Sequence, residues 1–417
     1  MHDMGEIMTI IEFFDKASIE NIAGALLCEP QQVLLIGDKR KQLDRAVNLY
    51  QGILEKNNIA TKISYRSVSK NDLQDIISAL EQIVADYEDC VFDLTGGEEL
   101  YLVAVGTMME RYKGRIQCHR FNFRNGTLND CDANGNVCCS KSFDISLEDN
   151  INIYGGEIVT DTQRERYTYP WDFSEDFEHD IDTMWDICRH NARLWNAHVG
   201  TLGAICEVFE MQDALEISFD QELSASILQQ KGVKYVCEAW IMYELQKHGL
   251  IRLLVMQDTI SFVFKNEQIK KCLTVAGSIL ELIVAKIMRS LKDKDGTPLY
   301  HDVTVGAVID WDRAEDDEYR TINEIDVLAM KGSIPIFISC KNGDFDVNEL
   351  YKLNTVAEHF GNKYSKKVLV STELDQLGEK SNYIYARMDD MGIRSIENVD
   401  EMSDSEFEKA LKTLWSN

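Results

Sequence analysis

At 417 residues the chain exceeds what one hydrophobic core ordinarily supports, so two or three domains are expected. Its 45% hydrophobic content is normal for a soluble globular protein, and with Asp3 and Glu6 in place of a basic start no signal peptide is expected. With no apolar run of about eighteen residues to cross a bilayer, no membrane partner and a cytoplasmic location are expected. A net charge of −28 excludes a nonspecific nucleic-acid binder, although local basic clusters and bound cations can set the field where a substrate lies. Eleven scattered cysteines without a Cys-x-x-Cys pair, only Cys138 and Cys139 being adjacent, argue for reduced thiols. The same scatter argues against a disulfide framework or a zinc site, and the eight histidines show no metal-ligand spacing either.

From the N-terminus, strand-like and helix-like segments alternate. A strand over 8–13 leads to a helix over 18–27 with Ser18 as its N-cap. A buried strand over 33–37, a helix over 41–55, a strand over 60–65 and a helix over 71–84 follow. A strand over 90–94 then ends in Thr95-Gly96-Gly97, and a helix over 98–112 succeeds it. Alternation of this length predicts a parallel sheet covered on both faces, with ligands bound beyond the carboxyl ends of its strands. Gly37-Asp38-Lys39-Arg40 places cations beside a glycine at one such end. Thr95-Gly96-Gly97 offers backbone N–H groups at a helix N-terminus, which suits a phosphate, and a tight turn accounts for the same residues. Neither a dinucleotide-binding Gly-x-Gly-x-x-Gly nor a P-loop sequence is present.

The acidic, aromatic stretch 167–182 is expected to cross between domains. Helices over 181–197 and 235–247 precede strands over 250–255 and 259–264, a hairpin around Gln257-Asp258. Helices followed by a hairpin suggest a winged-helix-like module. No basic recognition helix accompanies it, so a connecting role is expected rather than contact with DNA.

In the last third, apolar residues at 276, 279, 280, 283, 284, 287, 288 and 291 predict a helix over 273–291, inside which Glu281 is the only acid. A carboxylate in so apolar a helix is costly to bury without a cation or a donor, and a Glu at the stripe's edge would instead reach solvent. Strand-like runs over 323–328 and 336–341 flank Lys331-Gly332-Ser333, a hairpin turn. The pairing sets Asp326 and Lys341, fifteen positions apart (341 − 326), at neighbouring points on one sheet. A metal-dependent phosphodiesterase uses such a pair, the Asp to bind a divalent cation and the Lys to steady developing negative charge; a surface ion pair has the same spacing. Basic clusters at Lys270-Lys271, at Lys286, Arg289, Lys292 and Lys294, and at Lys363, Lys366 and Lys367 surround this region.

Gly277-x-x-x-Glu281, Asn323-Glu324-Ile325-Asp326, Ile338-Ser339-Cys340-Lys341 and Glu349-Leu350-Tyr351-Lys352-Leu353 together resemble the PD-(D/E)xK nuclease superfamily. More narrowly, they resemble the nuclease half of CRISPR ancillary nucleases that carry a CARF (CRISPR-associated Rossmann-fold) sensor. The resemblance implies that Glu281 and Asp326 hold the metal, Mg2+ or Mn2+, with Cys340 counted among the metal-holding positions, while Lys341 serves the water. Ser339 stands where the superfamily has a second acid, and a hydroxyl is a weak ligand for a hard cation. Glu281 is the preferred compensating ligand. Glu324, which shares a strand face with Asp326, is the other, and a degenerate site is the third possibility. Lys352 is either a second cation near the scissile phosphate or a solvated helix lysine.

Thr95-Gly96-Gly97 and the Gly37-Asp38-Lys39 turn resemble the ligand contacts of CARF domains, which bind a cyclic oligoadenylate across a two-fold dimer axis. Glu98-Glu99 departs from the Thr-Lys that often follows those glycines, and Ile153-Tyr154-Gly155-Gly156 resembles the end of such a domain. The expected fold is α/β: a Rossmann-like CARF domain over 1–158, a helical, winged-helix-like linker over 159–272, and an α/β PD-(D/E)xK nuclease domain over 273–417. The expected function is a homodimeric nuclease of type III CRISPR defence, activated by a cyclic oligoadenylate, cyclic tetra-adenylate foremost, and acting on RNA and/or DNA. The alternative is a ligand-responsive regulatory protein that has lost catalysis.

Overall fold

The computed structural model describes residues 9–16, 18–87, 89–112, 116–124, 126–131, 136–311, 321–343, 345–372 and 379–415. Asp3, Glu6 and Met8, the expected first residue of the first strand, lie outside the described residues.

The N-terminal third builds β1 (Thr9–Phe13), α1 (Ala23–Cys28), β2 (Gln32–Gly37), α2 (Arg40–Lys56), β3 (Lys62–Ser67), α3 (Leu73–Asp86), β4 (Cys90–Asp93) and α4 (Glu99–Arg111). It continues with β5 (Gln117–Asn122), β6 (Thr127–Cys131), β7 (Val137–Ser142), α5 (Leu147–Ile153) and β8 (Glu157–Ile158). Seven strands form one sheet in the order β3-β2-β1-β4-β5-β6-β7, parallel from β3 to β5 and antiparallel beyond. The strand order reverses between β1 and β4, which opens a crevice at their carboxyl ends. The helix expected over 18–27 divides instead into a 3₁₀ turn, Ser18–Asn21, and α1, so Ser18 does not cap it. The turn lets Asn21 accept from the Asp15 N–H at 2.6 Å and donate to the Asp15 carbonyl at 2.9 Å, closing the segment that leaves β1.

The middle region comprises α6 (Glu175–Arg189), α7 (Ala192–Val208), β9 (Glu216–Asp220), α8 (Gln221–Gln230), α9 (Ala239–Lys247), β10 (Ile251–Met256), β11 (Thr259–Phe264) and α10 (Glu267–Thr274). The expected hairpin is β10 with β11, and β9 completes a three-stranded sheet. The single helix expected over 181–197 is two, because the Asn191 side chain caps a new start by accepting from Leu194 N–H at 2.9 Å.

The last third holds α11 (Ser278–Ser290), β12 (Asp302–Asp310), β13 (Ile322–Lys331), β14 (Ile334–Lys341), α12 (Asn348–Phe360), β15 (Lys366–Ser371), α13 (Glu379–Met391), β16 (Ile393–Ile396) and α14 (Asp404–Thr413). Its sheet runs β16-β15-β14-β13-β12-β8, so β8 joins the edge of the C-terminal sheet. The helix expected over 273–291 is broken: Gly277 takes φ +92°, a left-handed conformation natural to glycine, and α11 starts one residue later. One face of this sheet packs with α6, α7 and α11 (Trp195, Leu280, Val327, Ile338). The other shares a core with the first sheet, through Ile10, Val33, Phe337 and Leu369.

Candidate functional sites on two sheets

The β13–β14 hairpin turns at Gly332, φ +60°, and its register, Val327 against Ile338, brings Asp326 beside Ser339. Three groups converge on one Asp326 oxygen: the Cys340 N–H at 2.6 Å, the Ser339 hydroxyl at 3.1 Å and the Lys341 ammonium at 3.3 Å. Ser339 therefore positions the acid beside it. Lys341 also meets Glu349 of α12 at 3.2 Å. Burial pulls the Lys341 ammonium toward neutrality, but Asp326 and Glu349 outweigh it and hold the group charged.

Glu281, in the first turn of α11, faces the same place. Its carboxyl is pushed well above the usual range, first by burial and then by the charges of Asp326 and Glu324. Gly306 of β12 lies opposite Asp326 with φ +59°, and a Cβ there would stand 3.5 Å from Glu324 Oε1. The glycine thus leaves space beside two acids. Glu324 is exposed and pairs with Arg166 at 3.3 Å. The fold thus gathers Glu281, Glu324, Asp326, Ser339 and Lys341. It does not bring Lys352 to Asp326: that ammonium turns outward and pairs with Glu349 at 2.6 Å. The Cys340 side chain is buried, and burial followed by the Asp326 and Glu281 charges holds it as a neutral thiol, so its contribution to Asp326 is its backbone N–H.

Sequence reasoning missed Glu349, although it opens the motif on α12. Its signal is that it lies three residues before Lys352, a pairing distance on a helix. Asn196 of α7 was also missed; it accepts from Asn342, next after Lys341, at 2.9 Å. No local pattern marks that contact. The basic clusters expected to draw a polyanion are largely engaged internally. Lys270 is buried and donates to the carbonyls of Met211, Gln212 and Ala214; Lys286 pairs with Asp182, and Lys363 with Glu20 at 3.2 Å.

At the crevice of the first sheet a cavity of about 350 Å³ opens, lined by Gly37, Asp38, Lys39 and Gly97 among the expected residues. Thr95 and Gly96 lie outside its lining. Thr95 turns inward, its N–H donating to Asp93 at 2.6 Å and its hydroxyl oxygen accepting from Phe121 N–H at 2.8 Å. Gly96 packs on Asp15 and Glu20, where a Cβ would meet an Asp15 carbon at 2.9 Å. Gly97, φ +102°, admits no side chain because a Cβ would stand 2.5 Å from that of Phe13. Its N–H is not free for a phosphate; it donates to Asp15 at 3.1 Å. The cations at the cavity are side chains instead: Lys39, with Lys16 and Lys70, which were not foreseen. Lys70 pairs with Glu98 at 2.6 Å, offsetting an acid that would repel an anion.

A parallel sheet with a crevice at its switch point, a small three-stranded sheet, and a mixed sheet carrying an acid–lysine hairpin define the chain as a multi-sheet α/β protein. The same fold, over 99% of this chain, occurs in protein VC1899 from Vibrio cholerae (17% identity, TM-score 0.71, 98% of that chain covered). It also occurs in Can2 from Sulfobacillus thermosulfidooxidans, solved in complex with cyclic tetra-adenylate (14% identity, TM-score 0.65, 99% and 98% covered). No protein-family model and no curated protein sequence matches the chain.

Proposed function

We propose that the chain is a cyclic-oligoadenylate-activated, divalent-metal-dependent nuclease that cleaves RNA and/or DNA phosphodiester bonds in type III CRISPR antiviral defence and works as a homodimer. Residues 1–158 sense the ligand, 159–272 connect, and 273–417 cleave. The ion pair of Asp326 with Lys341, and a partly buried Glu281 near enough to feel the charges of both, carry this reading. Glu281, Glu324 and Asp326 bring carboxyl groups near one another there, and the mutual repulsion that raises Glu281 is what a hard dication with oxygen ligands would relieve. Those acids would hold Mg2+ or Mn2+, which when bound polarises a phosphoryl oxygen and acidifies a water. Ser339 and the Cys340 N–H fix the orientation of Asp326. Lys341, kept charged between Asp326 and Glu349, stabilises the negative charge that develops on the phosphate. Cyclic tetra-adenylate in the Can2 complex supports the same ligand for the lysine-rimmed cavity.

The deciding experiment incubates the protein with labelled RNA and single-stranded DNA, with Mn2+ or Mg2+, and with each cyclic oligoadenylate separately. Cleavage that needs both cation and ligand is expected. Ligand binding without cleavage under any condition would replace this reading by a regulatory protein whose site Ser339 has disabled.

A further inference from the structure

One group of ionisable side chains serves neither proposed site. Glu12, Asp93 and His119 stand on β1, β4 and β5, three neighbouring parallel strands, each less than 3% exposed. Ile11 pairs with Phe92 and Asp93 with His119, so the three residues form one row across the sheet. One potential ligand atom from each lies within 4.8 Å of the others. Because the row crosses strands, no spacing within the sequence announces it.

Two carboxylates in a dry interior need a proton or a cation between them. Both Glu12 oxygens are buried and receive no donated hydrogen; the neighbour that meets them, Asp93, is itself a carboxylate. His119 Nε2 stands 2.8 Å from Asp93 Oδ2. Gly24 of α1 backs this point: a Cβ there would lie 3.1 Å from each of those two atoms, so the glycine keeps the place open. Two carboxylate oxygens and one imidazole nitrogen match the donor preference of Zn2+. Two negative charges and a neutral ring balance a dication. Tetrahedral bonds of about 2.0–2.1 Å need ligand atoms about 3.3 Å apart. The His119–Asp93 pair, at 2.8 Å, would open by roughly half an ångström, ligand atoms standing up to 4.8 Å apart would close toward the ion, and a water would fill the fourth position.

We propose that Glu12, Asp93 and His119 hold a divalent cation, Zn2+ best matching the donors, as a structural site under the sensor turn. The place gives the ion a task. The other Asp93 oxygen accepts the Thr95 N–H, and the segment Thr95–Gly97 runs directly to the cavity. A cation that immobilised Asp93 would fix that turn before ligand arrives, and so lower the ordering cost of binding. This inference stands independently of the nuclease activity.

The test uses the full chain carrying Asp326→Ala, so that the hairpin site contributes no metal. After purification without chelator and desalting, elemental analysis is expected to return about one Zn2+ per chain. Stripping the metal should lower the melting temperature and adding Zn2+ should restore it. Glu12→Gln, placed in the same chain, is expected to lose the metal and the Zn2+ response. This variant is decisive because glutamine mimics a protonated glutamate. If a shared proton holds the row, Glu12→Gln will melt like its parent and both will be metal-free. Co2+ substitution adds a spectroscopic check: visible absorption expected in the parent should vanish with His119→Ala. A parent chain that takes up neither Zn2+ nor Co2+, with its melting temperature unmoved, would overturn the proposal.

Discussion

The two sheets carry their polar groups in different places. In the C-terminal sheet, Asp326 and Lys341 stand on the strands, clamped by neighbours along β13 and β14 and by Glu349 from α12. In the first sheet the cavity is walled by turns, after β1, after β2 and ahead of α4, with the sheet itself only as a floor. A strand pinned on both sides holds a side chain to a fraction of an ångström, as bond-breaking chemistry demands. Turns can be displaced by a ligand, and displacement is what a sensor must transmit. Under the proposed function, this difference would suit the hairpin to rigid work and the cavity to movable work.

The strongest way to break this assignment is at the hairpin. Asp326→Ala and Lys341→Ala should each cost cleavage at least about two orders of magnitude, the usual loss when such electrostatic stabilisation goes. Affinity for cyclic tetra-adenylate, measured by calorimetry, should be unchanged in both. Full turnover in either variant would remove the hairpin from the chemistry. Glu281→Gln should lose activity as severely, yet melt at a higher temperature at pH 7 without divalent cations. The sign follows from its raised carboxyl: the folded state favours the protonated form, so ionised Glu281 costs stability once the pH rises past the ordinary carboxylate range. A glutamine abolishes that cost.

Acid should separate the regions by stability. His198 of α7 is fully buried in the core shared with the C-terminal sheet, its Nδ1 accepting from Glu238 N–H at 2.9 Å, and burial lowers it to about 4. An unfolded histidine takes a proton below about 6.5, so stability present above that pH is lost progressively down to about 4, by up to about 3 kcal/mol. His198→Asn, which keeps an acceptor at that place, should flatten the denaturation curve between those pH values; an unaltered slope would show that another group titrates.

Smaller effects are expected at the cavity. Lys70→Ala removes a cation and leaves Glu98 uncompensated, so cyclic tetra-adenylate should bind about tenfold more weakly, while Glu98→Gln should bind it more tightly. Equal affinities in both variants would place the ligand elsewhere. Smallest of all, Ser339→Ala should reduce cleavage by less than about tenfold, since the Cys340 N–H and Lys341 still hold Asp326. A loss larger than that of Glu281→Gln would make the hydroxyl, through a water, the true ligand.

The placing of Asp326 beside Lys341 was legible in the sequence because a hairpin is local: the turn at Lys331–Ser333 fixes which residues face each other. Parallel alternation likewise announced the first sheet and its crevice. Lys16 and Lys70 were not legible, because they reach the cavity from turns that only the closed sheet brings together. The glycines do more than the sequence shows, although Gly97 lines the cavity as expected. Gly97 also fits against Phe13 and gives its N–H to Asp15. Gly277 looked like part of one helix, and its left-handed φ starts another.

The two residues of β8 have a practical bearing on how the molecule can be divided. Glu157 and Ile158 pair with Asp310 and Ile309, and Thr168 then accepts from Val308 N–H at 2.9 Å, so this short stretch seals the outer border of the C-terminal sheet. A fragment begun after Ile158 would bare part of the border of β12, leaving main-chain groups ready to recruit another chain. A soluble fragment carrying the C-terminal sheet should therefore begin ahead of Glu157, keeping these few residues as a selvedge.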